Sequence, residues 1–231
     1  MKIRSLWLFG LIMIMVLIYA GCAPAPEKSL LDKYFHALSM NDNQTMAAMA
    51  LEPLAIDYVS YRIESIGQEQ VEPAPLPELA KKEAEAKKRM DDNVGPVVEA
   101  KDALDAAKDD LDNARTAAAR ATLKKKVEQL QATYDEKYNA YKELQRQYNE
   151  AKEATAKEEE MTLFSLGLKS LPGVREMTGN VHIKDVVISV KTKAGAEKKY
   201  RVIMKKYTLK DEASGRAFNG QWKILRFVPV S

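Results

Sequence analysis

The segment AKDALDAAKDDLDNARTAAARATLKKKVEQLQATYDE, residues 100–136, decides how the rest of the chain must be arranged. It joins two heptad frames that do not share a phase. In the first, Leu79, Ala86, Asn93, Ala100, Ala107, Ala114 and Ala121 recur every seven residues, interleaved with Glu83, Met90, Val97, Leu104, Leu111 and Ala118. In the second, Leu123, Leu130, Lys137, Leu144 and Ala151 alternate with Val127, Tyr134, Tyr141 and Tyr148. A seven-residue apolar repeat marks helices that pack side by side. A phase change without an intervening loop is what a chain reversal leaves, so the spacing predicts an antiparallel coiled-coil hairpin turning near residues 116–119. The first frame runs unbroken through Gly95-Pro96, which makes that dipeptide a kink. Folding back pairs Leu111 with Val127, Leu104 with Tyr134, Val97 with Tyr141 and Met90 with Tyr148. Small residues of the outgoing arm then face larger ones on the return, as close packing requires. Arms of about 40 residues would project about 60 Å.

The hairpin occupies residues 77–160, bounded upstream by Pro73, Pro75 and Pro77 and composed mainly of Ala, Lys, Glu, Asp, Leu, Gln and Tyr. On either side the pattern is different. Leu30, Leu31, Tyr34, Phe35 and Leu38 predict an amphipathic helix over 29–40. A short helix over 44–51 closed by Pro53, and a strand over 56–66, follow it. Strand signals return over 181–193, 198–209 and 221–230, separated by the turn-forming Lys193-Ala194-Gly195 and Asp211–Gly215. Residues 29–76 and 161–231 therefore read as two parts of one α+β domain, small helices on an antiparallel sheet, interrupted by the hairpin. The long insertion must bring its two ends back together, which one continuous helix cannot do.

At the start of the chain, Lys2 and Arg4 precede an apolar run from Leu6 to Ala20, shorter than the roughly 20 residues of a bilayer span. Residues 1–21 are expected to be a signal peptide. Tyr19-Ala20-Gly21-Cys22 resembles the lipobox of bacterial lipoproteins, with Tyr19 standing where that motif usually carries an aliphatic residue. The resemblance implies cleavage before Cys22, acylation of its thiol, and a mature protein held to membrane lipid. Residues 22–28, Cys-Ala-Pro-Ala-Pro-Glu-Lys, read as an extended tether. Ala23 is not the aspartate associated with inner-membrane retention in Gram-negative cells, so for a Gram-negative envelope the resemblance favours the outer membrane, facing the periplasm.

Lys33-Tyr34-Phe35-His36-Ala37-Leu38 with Asn41-Asp42, and the closing Gly220-Gln221-Trp222-Lys223-Ile224, resemble the nuclear transport factor 2-like (cystatin-like) domains of bacterial lipoproteins. That family implies a curved sheet wrapped around helices, often enclosing a pocket. Unrelated functions share the fold, so it assigns none by itself.

Removing residues 1–21 leaves 34 Lys and Arg against 33 Asp and Glu, a balance of +1 that gives no support to nucleic acid as a partner. The single cysteine excludes an intrachain disulfide and multi-cysteine metal sites. No cofactor, metal cluster, phosphate loop or catalytic constellation is legible, and His36 and His182 read as packed or surface residues. Charge is uneven, however: residues 161–231 carry 14 Lys and Arg against 5 Asp and Glu, a balance of +9. Lys198, Lys199, Arg201, Lys205 and Lys206 form a candidate surface for anionic lipid or cell-wall polymer, or else charged strand edges that block sheet-to-sheet pairing. The expected function is that of a non-enzymatic envelope lipoprotein whose hairpin is a spacer or docks a protein or cell-wall partner. The hairpin read as a self-satisfied helical pair is the plainer alternative. A different alternative is a small-ligand or catalytic pocket in which His182, Asp185 and Tyr207 converge.

Overall fold

The computed structural model describes residues 25–230, so the signal-peptide, cleavage and lipidation readings at Tyr19, Ala20, Gly21 and Cys22 lie outside the described residues. The described elements are α1 (Pro26–Ser39), α2 (Asn43–Met49), β1 (Tyr58–Ile66), β2 (Gln70–Pro73), α3 (Leu76–Asp92), α4 (Val94–Asn113) and α5 (Ala117–Leu166). They are followed by a 3-10 turn (Val174–Glu176), β3 (Thr178–Thr192), β4 (Glu197–Lys210), β5 (Ala217–Asn219) and β6 (Lys223–Val230). The architecture is α+β, with a curled antiparallel sheet and a long coiled-coil hairpin. The chain divides into two compact units. One holds the residues up to Glu72 with His182–Lys206 and those from Gly220 onward; the other holds Pro73–Val181 with Tyr207–Asn219.

In the first unit β3 is flanked by β1 and β4, and β6 lies on the far side of β4. Register runs from Tyr58 opposite Thr192 to Ile66 opposite Val186, and from Lys199 opposite Val230 to Lys205 opposite Lys223. Alternate residues of β3 and β4, namely Val186, Ile188 and Val190 with Tyr200, Val202 and Met204, form one face of a continuous core. Leu31, Tyr34, Phe35 and Ala37 of α1 complete it, with Met46, Ala50 and Ile224. Phe35 stacks on Tyr61 at 4.2 Å between ring centroids, and the Leu54 N–H donates to the Tyr34 hydroxyl at 2.7 Å. The predicted strands are present with ends moved by at most three residues; β2 and β5, of four and three residues, were not legible. The first helix begins at Pro26, three residues ahead of the expected Ser29, so the end of the expected tether is helical. Proline at the first helical position has a suitable φ and no N–H to leave unbonded. Asp42 then caps α2 by accepting from the Thr45 N–H at 3.0 Å.

The second unit is built on the hairpin. Every position of the first heptad frame from Leu79 to Ala114 is buried or half-buried, and so is every position of the second except Lys137. Ala118 and Ala121, the last two positions extrapolated from the first frame, are exposed because the chain has already reversed. The turn is Ala114–Thr116, and the Thr116 hydroxyl caps α5 by accepting from the Ala119 N–H at 3.2 Å. The kink falls at Asn93 rather than at the Gly95-Pro96 dipeptide itself. Pro96 accounts for this, since its ring would meet the carbonyl of the residue four positions earlier, Asp92, where α3 ends. Both α3 and α4 pack along α5, which at 50 residues is about 75 Å long. It runs six residues past the expected end of the insertion and stops at Gly167, whose φ of +69° is the left-handed cap conformation. Gly179, at φ +143°, is required for a second reason: a Cβ there would lie 2.1 Å from the Thr208 carbonyl oxygen.

Candidate functional site

The alternation that buries Val186, Ile188 and Val190 continues back along β3 to Lys184 and His182, so the core face ends in a cation and an imidazole. Glu27, in the first turn of α1, is 2% exposed and its carboxylate accepts from the Lys184 ammonium. Lys184 also lies 3.5 Å from Glu69 Oε2, while Glu69 Oε1 is 2.6 Å from His182 Nδ1. Trp222 closes the group: the Lys184 and Lys206 ammoniums sit 5.4 and 5.2 Å from its ring centre, and the His182 ring meets it edge-on at 6.5 Å. Cations over indole are favourable, more so where water is partly excluded.

The electrostatics bind the cluster to itself. The hydrogen bond from His182 lowers the pKa of Glu69, helped by Lys184 and Lys206 against the opposing effect of burial. Burial by itself would lower the Lys184 pKa, but the Glu27 and Glu69 carboxylates outweigh it and the net shift is upward. Two carboxylates, two ammoniums and an imidazole thus satisfy one another, and the product is mechanical: they hold the beginning of α1 against β3. This clamp was not visible in the sequence beyond the alternation of His182 and Lys184 in an otherwise apolar strand.

Of the candidate pocket residues, His182 belongs to the clamp. Asp185, three residues along the same strand, lies 3.9 Å from Arg201 and lines a cleft of about 200 Å³ with Gly67, Gln68, Gln70 and Ile183. Tyr207 is buried in the other unit, where its hydroxyl donates to Glu158 at 2.6 Å and its N–H to the Ser165 hydroxyl at 3.1 Å. Burial, and then the neighbouring carboxylate, push its pKa far above the ordinary phenol range. A phenol held that way donates a structural hydrogen bond and exchanges no proton near neutral pH.

The basic cluster is divided by strand alternation. Lys199 is paired with Glu64 at 3.0 Å, Arg201 faces Asp185, Lys206 lies over Trp222, Lys198 is exposed and Lys205 is half-buried. His36 is exposed on α1. Among the described residues there is no group of three or more His, Cys, Asp or Glu side chains placed to hold a metal ion, and no helix long and apolar enough to cross a membrane.

The hairpin presents a second kind of surface. Near its base, Arg146 bridges Glu143 and Glu150, Lys157 pairs with Glu153, and Arg175 joins Glu83 of α3 to Glu159 of α5 at 3.2 and 2.7 Å. Around the turn, Asp109, Asp110, Asp112, Arg115, Arg120, Lys124, Lys125 and Lys126 are exposed, and none of them enters an ion pair among the described residues. Asp110 and Asp112 stand in the last turn of α4, which holds no basic residue, although carboxylates there oppose the helix dipole. Asp110 and Asp112 therefore do not stabilise the helix end that carries them, whereas Arg120 donates from Nε to the carbonyl of Ala114, the C-cap of α4, at 2.9 Å. Protein-family models, curated proteins and solved structures were all compared with the chain, and none matches.

Proposed function

We propose that the protein is a non-enzymatic lipoprotein of a bacterial cell envelope, held to membrane lipid through acylated Cys22, with the hairpin as a rod that docks a protein or cell-wall partner. The observation that carries the reading is the clamp. Its buried Glu27 follows Cys22 by five residues, so a lipid on that cysteine would be attached almost directly to a rigid body. Several acyl chains on one residue give the durable attachment that a single chain does not. The small helices on a curled antiparallel sheet agree with the nuclear transport factor 2-like resemblance, and in a Gram-negative cell the outer membrane facing the periplasm is the favoured location. Support for a docking role comes from the tip, where Asp109, Asp110, Asp112, Arg115 and Lys124–Lys126 are exposed and enter no ion pair among the described residues.

The test is twofold. Metabolic labelling with an alkyne-bearing palmitate analogue should mark the wild type in the membrane fraction, and Cys22→Ser should remove both the label and the membrane association. An unlabelled wild type found in the soluble fraction refutes the anchor. A photo-crosslinker at Ala118 should capture one discrete adduct in cells, weakened by Lys124, Lys125 and Lys126→Ala; absence of any specific adduct leaves the hairpin as a spacer. A small-ligand reading has less behind it, since Tyr207 is committed to Glu158 and Asp185 opens only onto a small cleft.

A further inference from the structure

The described chain starts at Ala25, at the rim of a groove of about 420 Å³ between α1 and β1, lined by Ala25, Lys28, Asp32, Tyr61, Ile63 and Ile66. Two residues lie between Cys22 and Ala25, and the three Cα-to-Cα steps fully extended span about 10 Å. Once Cys22 is seated in a bilayer, this rim has to lie within the depth of the headgroup layer. Its composition suits that position. Ile66 is 43% exposed at the end of β1, a large apolar side chain that the fold has left in contact with solvent. Lys28 is exposed beside it.

Anionic groups would be repelled by an acidic lipid surface, and the three carboxylates nearby are each engaged by a donor. Glu27 is buried on Lys184, Asp32 accepts from the Tyr61 hydroxyl, and Glu69 is held by His182 and Lys184. Facing outward are Ile66, Lys28 and a groove with largely apolar walls, with the exposed Asp32 turned onto the Tyr61 hydroxyl. An exposed apolar side chain with a lysine beside it is the arrangement that seats at the boundary between headgroups and acyl chains.

We infer that the α1–β1 rim, with Ile66 inserted and Lys28 on the headgroups, is a membrane-contact face that fixes the orientation of the first unit on anionic bilayers. The inference rests on acylation of Cys22, and the experiment separates the two. Because acylation consumes the only native cysteine, a cysteine introduced by Ile66→Cys or, as a control on the hairpin, Val98→Cys offers a unique thiol for an environment-sensitive fluorophore. The acylated protein is reconstituted into vesicles of phosphatidylethanolamine and phosphatidylglycerol containing a lipid quencher placed just below the headgroups, and its mass is measured in the same preparation.

The expected result is at least a twofold loss of emission at position 66 and no loss at position 98, with the loss at 66 reduced when phosphatidylglycerol is replaced by phosphatidylcholine. An acylated protein unquenched at position 66 overturns the contact face and leaves the anchor standing. A protein without acyl mass overturns the anchor, and the face with it.

Discussion

The clamp at the start of α1 and the tip of the hairpin use the same residue types to opposite ends. In the clamp, Glu27 is buried, Lys184 and His182 are half-buried and Glu69 closes the rim from an exposed position, and each is bonded within the group. At the tip, Asp109, Asp110 and Asp112 stand beside Arg115, Arg120 and Lys124–Lys126, all exposed and without an ion pair among the described residues. Charge enclosed and mutually satisfied fixes a segment in place, whereas exposed charge adds little to stability and stays available to a partner. The difference separates residues that hold the protein together from residues free to meet something else.

The largest effect should come from opening the clamp on one side only. Lys184→Met leaves the Glu27 carboxylate buried without its ammonium and should cost about 3 kcal/mol in urea denaturation. Adding Glu27→Leu should restore most of that, because a matched apolar pair removes the stranded charge. A single Lys184→Met variant as stable as the wild type would show that the clamp fixes nothing.

In the hairpin, where apolar packing does the holding, Leu104→Ala should cost about 2–4 kcal/mol and speed amide exchange along α4 and the facing part of α5, since Leu104 is 2% exposed. Thr116→Ala removes the cap of α5 and should cost about 1 kcal/mol, seen as faster exchange confined to its first turn. Smallest, and opposite in sign, Asp112→Asn should stabilise the end of α4 by about 0.3 kcal/mol, because it removes a carboxylate from the wrong end of the dipole. A loss of stability there would mean that the tip charges serve the fold after all.

The comparison also has a pH signature. Glu69 has a lowered pKa in the folded protein, so its contribution is present above the unfolded value of about 4.3 and is lost as pH falls through the folded value. Lys184 is shifted upward, so its contribution is present below about 10.4 and is lost as pH rises through the folded value. The contributions of Glu69 and Lys184 should therefore be constant between about pH 5 and 10, and Glu69→Gln should flatten the acid limb of the denaturation profile.

The hairpin was legible because a heptad frame needs only residues seven apart, and the burial pattern follows that frame almost position by position. Pro96 even explains the kink, although the break lies at Asn93, one turn ahead of the ring that causes it. The clamp was not legible, because Glu27, Glu69, Lys184, Lys206 and Trp222 are far apart in the chain and meet only through strand register. Tyr207 was grouped with His182 on residue type alone. The period-two alternation that buries Tyr200, Val202 and Met204 breaks after Lys206, and Tyr207 is buried out of phase against α5. Short β2 and β5 carry too few residues to show a period, and Pro26 read as part of a tether because proline suits both extended chain and a first helical turn.

The central claim is that the lone cysteine, and not the hairpin or the sheet, attaches this protein to the envelope. The most direct measurement is the intact mass of the protein taken from the membrane fraction of its native cell. The account predicts a chain lacking its first 21 residues and carrying acyl groups on Cys22; a full-length chain, or a processed chain with an unmodified Cys22, would contradict it.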